Sequence, residues 1–390
     1  MSVPESQRCS EALEQLLKSK KHLREHSSET SNIKVENCVG FVKVPVGIAG
    51  PLLVNGPNTS NERVYAPLAT TEATLVASCS RGCKAFTACG GIQFDILGDN
   101  MVRAPCFKFA TPKEAINFAR QVHDIKDEIS IAAESTSRHL RLQSIRPHVV
   151  GSIVHLYISY YCGDAAGQNM VTIASQNVCD MLTSTKLGSK FQIQEVLVEN
   201  LMSSDKKPSS QTLAVPKGVE AMAWGTLTDS VCREILGVSS LRLYRGFLES
   251  KEAGTRCGMA GYSINTANVV AAMFIAAGQD AASIVDSFLS HVTVDYDYET
   301  KDLKVSVYFP CLPVGVIGGG TGYDTQRECL EILGCAGRGM KGRLAGLIAS
   351  FALALDVSTI SAILTHSFAS SHQRLARPPP QKENQIDSKL

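Results

Sequence analysis

The sequence predicts an α+β fold: a large, mainly helical unit with a small ferredoxin-like unit inserted into it. Three observations lead there. Residues 105–197 run strand, helix, strand pair, helix, strand, the order of a split βαβ sheet. Helical patterns rich in Ala, Gly and Ser stand on either side, at TEATLVASCSRGCKAF and NVVAAMFIAAGQDAASIV. The stretch from Leu344 to Thr365 is apolar nearly throughout, as a deeply packed helix would be.

Along the chain, residues 1–33 are polar and charge-rich, with one amphipathic stretch, Glu11 to Lys18, that reads as a short surface helix. The large unit occupies 34–104 and 198–377. It opens on a loop-like stretch, PVGIAGPLLVNGPNTSNER, rich in Gly, Pro and Asn. Thr70 and Thr71 then precede a helix whose small residues imply close packing.

In the inserted unit, CFKFA reads as a strand, and Thr111 opens a helix with Pro112 and Glu114 in its first turn. HVVGSIVHLYISYYC alternates like two strands, GDAAGQNMVTIASQNVCDML reads as a helix and FQIQEVLVEN as the closing strand. The large unit resumes with a strand pair in HVTVDYDYETKDLKVSVYFP. The last helix is long enough to cross a bilayer, but it carries Asp356 with Ser358, Thr359 and Ser361, which favours a buried helix over a membrane span. Residues 378–390 offer nothing apolar to bury and are expected to be a disordered tail.

Composition narrows the function. Apolar residues make up 44% and charged residues 19%, as in an ordinary globular enzyme, and a net charge of +1 argues against nucleic acid or an anionic membrane as the main partner. The 13 cysteines are odd in number and irregularly spaced, with no CxxC pair. Reduced thiols are expected, with neither a disulfide framework nor a metal.

Single residues leave the chemistry open. Glu72 reads equally as a helix-start carboxylate, Lys206 and Lys207 as an exposed turn, and His372 as a surface histidine. Asp280 interrupts an apolar helix, so it needs a partner, which a structural ion pair would supply. The glycines of VIGGGTGYD do not fit GxGxxG, because Tyr323 takes the last position. GDAAGQNM opens a helix, and a helix N-terminus can hold a phosphate.

In order, however, ENCVGFVKVPVGIAGPL, LATTEATLVAS with SRGCKA, GDAAGQNM, SDKKP, MAG with GQDAA, VIGGGTG and the SHQRLAR ending resemble the class I hydroxymethylglutaryl-CoA (HMG-CoA) reductase pattern over roughly residues 34–377. That resemblance implies an NADPH-dependent reduction of HMG-CoA to mevalonate and CoA in two hydride steps. It also implies that the inserted unit binds the dinucleotide and that neighbouring subunits of a homo-oligomer complete each other's sites.

The catalytic groups it implies are Glu72, Lys206, Asp280 and His372. Lys206 would stabilise the oxyanion, Glu72 would donate a proton to the aldehyde oxygen, Asp280 would hold the lysine and His372 would protonate the leaving thiolate. Arg103, Lys207 and Asn265 fall on acyl-substrate positions. Ser80, Arg81, Asp164, Gly167, Gln168, Asn169, Met170 and Arg377 fall on cofactor positions, the arginines facing the 2′-phosphate.

The chain departs from that pattern around the acyl pocket. Glu199 and Leu201 stand where the family has a serine and an asparagine. SSQTLAVPKG replaces a patterned stretch after SDKKP, TTEA replaces TTEG, and the glycine run before Asn265 is shortened. A carboxylate at Glu199 would repel an anionic substrate. A reductase of a different acyl-CoA, or a weakly active acyl-CoA-binding paralogue, therefore stays open beside the leading reading. The chain ends Ser388-Lys389-Leu390, a peroxisomal address read by an import receptor. With no membrane anchor expected, the sequence points to a soluble, fungal-type copy in a specialised-metabolite pathway.

Overall fold

Strand β1 (Val46–Gly56) and strand β2 (Thr59–Ala69) form an antiparallel hairpin turning at Pro57 and Asn58, the latter at φ 58°. This is the stretch the sequence predicts as loop. Its Gly-Pro pair sits at a register shift between Ala49 and Leu52, which breaks the two-residue alternation and hides the strand from a periodicity reading. The structure is a computed structural model and describes residues 33–369 except Thr185, together with Lys18 and Gln373. The expected N-terminal helix, His372, Arg377 and the tail with its terminal tripeptide lie outside the described residues.

Helix α1 (Leu75–Ala88) follows the hairpin, and β3 (Ile92–Arg103) returns along β1. From Gln93 to Asn100, β3 pairs with β8 (Gly218–Leu227); from Met101 to Arg103 it pairs with β6 (Ile153–Tyr161). One strand thus joins both halves of a sheet that continues through β4 (Cys106–Lys108) and β7 (Glu195–Leu197) on one side and β10 (Leu303–Leu312) and β9 (His291–Tyr296) on the other, with β1–β2 and β5 (Arg141–Val150) attached at the sides. Arg103 ends on the seam.

The inserted part contains β4 (Cys106–Lys108), α2 (Pro112–Gln121), α3 (Lys126–Glu134), β5 (Arg141–Val150), β6 (Ile153–Tyr161), α4 (Gln168–Ser184) and β7 (Glu195–Leu197). Helix α2 begins where predicted, after Thr111, and its start is a capping box: Thr111 accepts from the Glu114 amide while the Glu114 carboxylate accepts from the Thr111 amide. Three expectations change. Helix α3 is additional, α4 starts at Gln168 rather than Gly163, and Phe191 ends a short helix, so only Glu195–Leu197 of FQIQEVLVEN is strand. The inserted part has its own apolar core, centred on Phe107, Phe118, Leu156 and Val178.

The remainder supplies β8 (Gly218–Leu227), α5 (Ser240–Arg256), α6 (Thr266–Ala276), β9 (His291–Tyr296), β10 (Leu303–Leu312), α7 (Asp324–Ile332) and α8 (Lys341–Leu364). Six of the described strands lie outside the inserted part, beside the helices that make up more of the large unit. The described fold is 44% helix and 26% strand.

Helix α8 is apolar and long enough to cross a membrane, yet 89% of that apolar window is buried inside the protein. Glycines let it pack closely: a Cβ on Gly346 would fall 2.0 Å from the Phe94 ring, and one on α1 Gly82 would fall 1.9 Å from the Ala354 carbonyl oxygen. Fully buried Asp356 accepts from the amides of Ile264 (2.9 Å) and Asn265 (2.6 Å), fixing the loop that enters α6.

Candidate active site

The SDKKP motif lies in a contorted loop. Leu201, Ser204 and Lys206 all have positive φ (64°, 55° and 56°), a conformation side chains disfavour and the surroundings must hold in place. The Lys206 amide donates to Asp286 Oδ2 (3.2 Å), and its ammonium reaches Asp280 Oδ2 at 2.8 Å. Both side chains of that pair are about half exposed, so the pair faces an open space.

Asp280 is not inside an apolar helix, as the sequence reading had it. Helix α6 ends at Ala276, Gly278 turns at φ 68°, and the Asp280 side chain caps a short 3₁₀ turn by accepting from Ala282. A Cβ on Gly278 would lie 2.4 Å from Gly320, so the GQD and GGGTG loops pack backbone to backbone. Gln279 clamps them by exchanging two hydrogen bonds with the Gly315 backbone (2.8 and 2.9 Å). Partial burial pushes the Asp280 carboxyl up, but the Lys206 ammonium and the Ala282 amide outweigh it and hold the group below its ordinary value. The carboxylate thus keeps Lys206 aimed.

Behind this pair lies a buried ionic cluster. Arg103 Nη1 contacts Asp205 Oδ2 (2.6 Å) and Glu199 Oε2 (3.1 Å), while its Nη2 donates to Thr172 Oγ1 (2.8 Å). Lys217 bridges Asp205 (3.3 Å) and Asp286 (3.0 Å). Burial alone would lower the Lys217 ammonium, but Cys311, Asp286 and Asp205 together raise it. Desolvation raises Asp286 despite Lys217. Asp205 also accepts from the Gln168 side chain, which ties the SDKKP loop to the start of α4. Lys207 is exposed and returns to the Asp205 carbonyl (3.1 Å).

Of the expected acyl-site residues, the structure therefore places Arg103 and Lys207 beside Lys206. Asn265 sits at the start of α6, held by its amide on Asp356, and its side chain caps nothing. Glu72 lies in the turn before α1, on an open depression of about 410 Å³ lined also by Pro45, Gly47 and Thr70. Ala69, three residues before it, packs against Ala276, four residues before Asp280, so both segments leave one small apolar cluster. Among the described residues no hydrogen bond or ion pair links Glu72 to Lys206 or Asp280.

The expected cofactor residues separate into two places. Asp164 accepts from Gly339 (2.9 Å) just before α8, Gly167 leads into α4 at φ 92°, exposed Asn169 stands in the first turn and Met170 packs on the inserted core. A Cβ on Gly167 would strike Cys162 Sγ at 2.5 Å, and one on Gly315 would strike the Ala166 amide nitrogen at 2.4 Å. These glycines let the segment entering α4 pack closely against Cys162, Met101 and the backbone at Gly315.

Ser80 and Arg81 are elsewhere. Ser80 accepts from the Gly50 amide (3.2 Å), and the Arg81 guanidinium donates to Ser358 and Ser361 near the C-terminal end of α8. At a rise of about 1.5 Å per residue, roughly 25 Å of α8 separates Arg81 from Asp164. Two motifs that look like parts of one cofactor site are thus far apart within a single chain.

Three charged residues escaped the sequence reading: Asp205, Lys217 and Asp286. Asp205 directly precedes the lysine pair, a signal that was available. Lys217 and Asp286 had none, being single charges between Pro and Gly or inside an apolar run. Among the described residues no group of three or more His, Cys, Asp or Glu is placed to hold a metal ion.

Comparison with known proteins bears on the family and the fold. A family model for hydroxymethylglutaryl-coenzyme A reductase matches residues 6–377. The 3-hydroxy-3-methylglutaryl-coenzyme A reductase of Aeropyrum pernix is 36% identical over 353 residues, covering 88% of this chain and 82% of its own. That of Methanocaldococcus jannaschii is 35% identical over 345 residues, covering 88% and 84%. A solved class II reductase from Streptococcus pneumoniae, bound to NADPH, shares the fold at TM-score 0.67 and 18% identity, over 92% of this chain and 98% of that one. The chain belongs to the hydroxymethylglutaryl-coenzyme A reductase family.

Proposed function

We propose that the chain reduces HMG-CoA to mevalonate: thioester, two NADPH and two protons give the alcohol, free CoA and two NADP⁺. The Lys206–Asp280 pair, opening outward from a buried ionic cluster, is the observation that carries this reading. NADPH supplies the hydride for each reduction when bound. Lys206 places a positive charge where the carbonyl oxygen becomes an oxyanion, and Asp280 fixes its direction. Glu72 gives a proton to the aldehyde oxygen in the second reduction, and His372 gives one to the departing thiolate. Arg103 and Lys207 face the acyl carboxylate, with Asn265 at the pocket edge. Asp164, Gly167, Gln168, Asn169 and Met170 hold the dinucleotide on the inserted unit, 105–197, while 34–104 and 198–377 form the acyl-CoA unit.

The distance from Arg81 to Asp164 supports a site shared between chains of a homo-oligomer, in which Ser80, Arg81 and Arg377 serve a neighbour's ligand. The substituted acyl pocket and the Ser388-Lys389-Leu390 ending support a soluble, class I, fungal-type copy. It would be addressed to the peroxisome through the import receptor and serve a specialised-metabolite pathway.

NADPH consumption by the purified protein, offered a panel of CoA thioesters, tests the reaction. HMG-CoA is expected to be turned over. Turnover of another thioester with none of HMG-CoA would refute the substrate, and binding without any turnover would favour the acyl-CoA-binding reading. His372→Ala is expected to slow reduction of HMG-CoA far more than reduction of free mevaldehyde, which has no thiolate to release.

A further inference from the structure

Arg103 is 94% buried, and its two terminal nitrogens are already engaged: Nη1 with Glu199 and Asp205, Nη2 with Thr172. A bidentate carboxylate uses a guanidinium edge with two free donors. Three of the five Arg103 N–H donors have these partners; among the described residues Nε has none, and it is shut away from solvent. Glu199 is seated firmly on this edge, because its Oε2 also accepts from Ser203 Oγ at 2.6 Å.

The surroundings are unfinished in a specific way. Arg103 Nε, Glu199 Oε1, Ser204 Oγ and Tyr157 OH are all buried and, among the described residues, all without a hydrogen-bond partner. Buried polar atoms are rarely left so, and a cluster of them marks a place where a polar group enters or a side chain moves. The charge balance is also unfavourable to another anion. Glu199, Asp205 and Asp286 already face only Arg103 and Lys217 within the cluster.

We propose that Glu199 is a specificity-determining counter-anion: its carboxylate occupies Arg103 where the acyl carboxylate of a substrate would sit, so an acyl-CoA with a distal carboxylate must displace it. The consequence is a handicap for dicarboxylic acyl groups relative to otherwise similar acyl groups without the distal charge. Lys206 and Asp280 lie outside this contact and treat both substrates alike. The inference rests on the proposed reading that Arg103 faces the acyl group.

The test compares HMG-CoA with 3-hydroxybutyryl-CoA, which lacks the distal carboxylate. Binding is measured by calorimetry without NADPH, and turnover by NADPH consumption. Glu199→Gln removes the charge and keeps the shape; Glu199→Asp keeps the charge. Glu199→Gln is expected to tighten HMG-CoA about tenfold relative to 3-hydroxybutyryl-CoA, while Glu199→Asp leaves the ratio near that of the unsubstituted protein. A ratio taken on one protein sample is insensitive to a partly unfolded fraction. An unchanged ratio in Glu199→Gln, or an equal change in Glu199→Asp, overturns the proposal. Absent turnover with the binding ratio still shifted would refute the reductase reading alone. If neither thioester binds, both fall.

Discussion

Single residues set the site's electrostatics, and Lys206 with Asp280 is the pair on which the chemistry turns. Asp280→Asn leaves Lys206 without its 2.8 Å partner, and Lys206→Ala removes the charge at the oxyanion. Each is expected to lower kcat by about 10²–10³, with substrate binding less affected, in steady-state kinetics. Lys217 plays a different part, because both it and Asp286 are buried. Lys217→Ala leaves the buried Asp286 carboxylate without its ammonium, while Asp205 keeps Arg103, and should cost about 3–5 kcal/mol in urea unfolding.

Asp356 gives a pH signature. Its carboxyl is pushed up to about 7, first by complete burial, against which the two amides it accepts from pull downward. The folded chain therefore binds this proton more tightly than the unfolded one does. The resulting stabilisation is fullest below about pH 4 and is lost as pH rises through about 7. Asp356→Asn should flatten that part of a melting-temperature profile taken from pH 5 to 8; an unchanged slope would show that another buried acid, such as Asp99, sets it.

At the scale of elements, helices α1 and α8 are held together by missing side chains. Gly82→Ala should separate them and destabilise the fold by about 1–3 kcal/mol in chemical denaturation, whereas Ala at Gly90 meets nothing within 4 Å and tests only the turn's positive φ.

Legibility in the sequence follows from the same physics. The Thr111 helix start, the β5–β6 strand pair and the α8 apolar run follow local rules, and the structure contains each, although β6 is buried along both faces and does not alternate. The β1–β2 hairpin was hidden by its bulge, and the split of NVVAAMFIAAGQDAASIV by small residues that suit a helix and a close-packed turn alike. Of the site, the lysine motif and Asp280 were legible as candidates. Lys217 and Asp286 were not, because a buried charge is recognised by its partners, and those come from the residue before β8, the SDKKP loop and the short helix Ile284–Ser287.

The whole molecule joins two cores through one strand. Strand β3 leaves the large core at Phe94, crosses to the inserted core at Met101 and delivers Arg103 to the seam, where Asp205 and Gln168 meet it. The two expected halves of the cofactor site sit roughly 25 Å apart along α8. The proposed shared site therefore predicts loss of activity on dilution below the assembly's dissociation constant, in step with the mass found by sedimentation. Full activity in a monomer would contradict it.

The most direct test of the central claim is product analysis of the purified chain given HMG-CoA and NADPH. The account predicts mevalonate and free CoA in equal amounts, with two NADPH consumed for each and almost no product from Lys206→Ala. Hydrolysis to the free acid without NADPH consumption, or product formation that survives loss of Lys206, would contradict it.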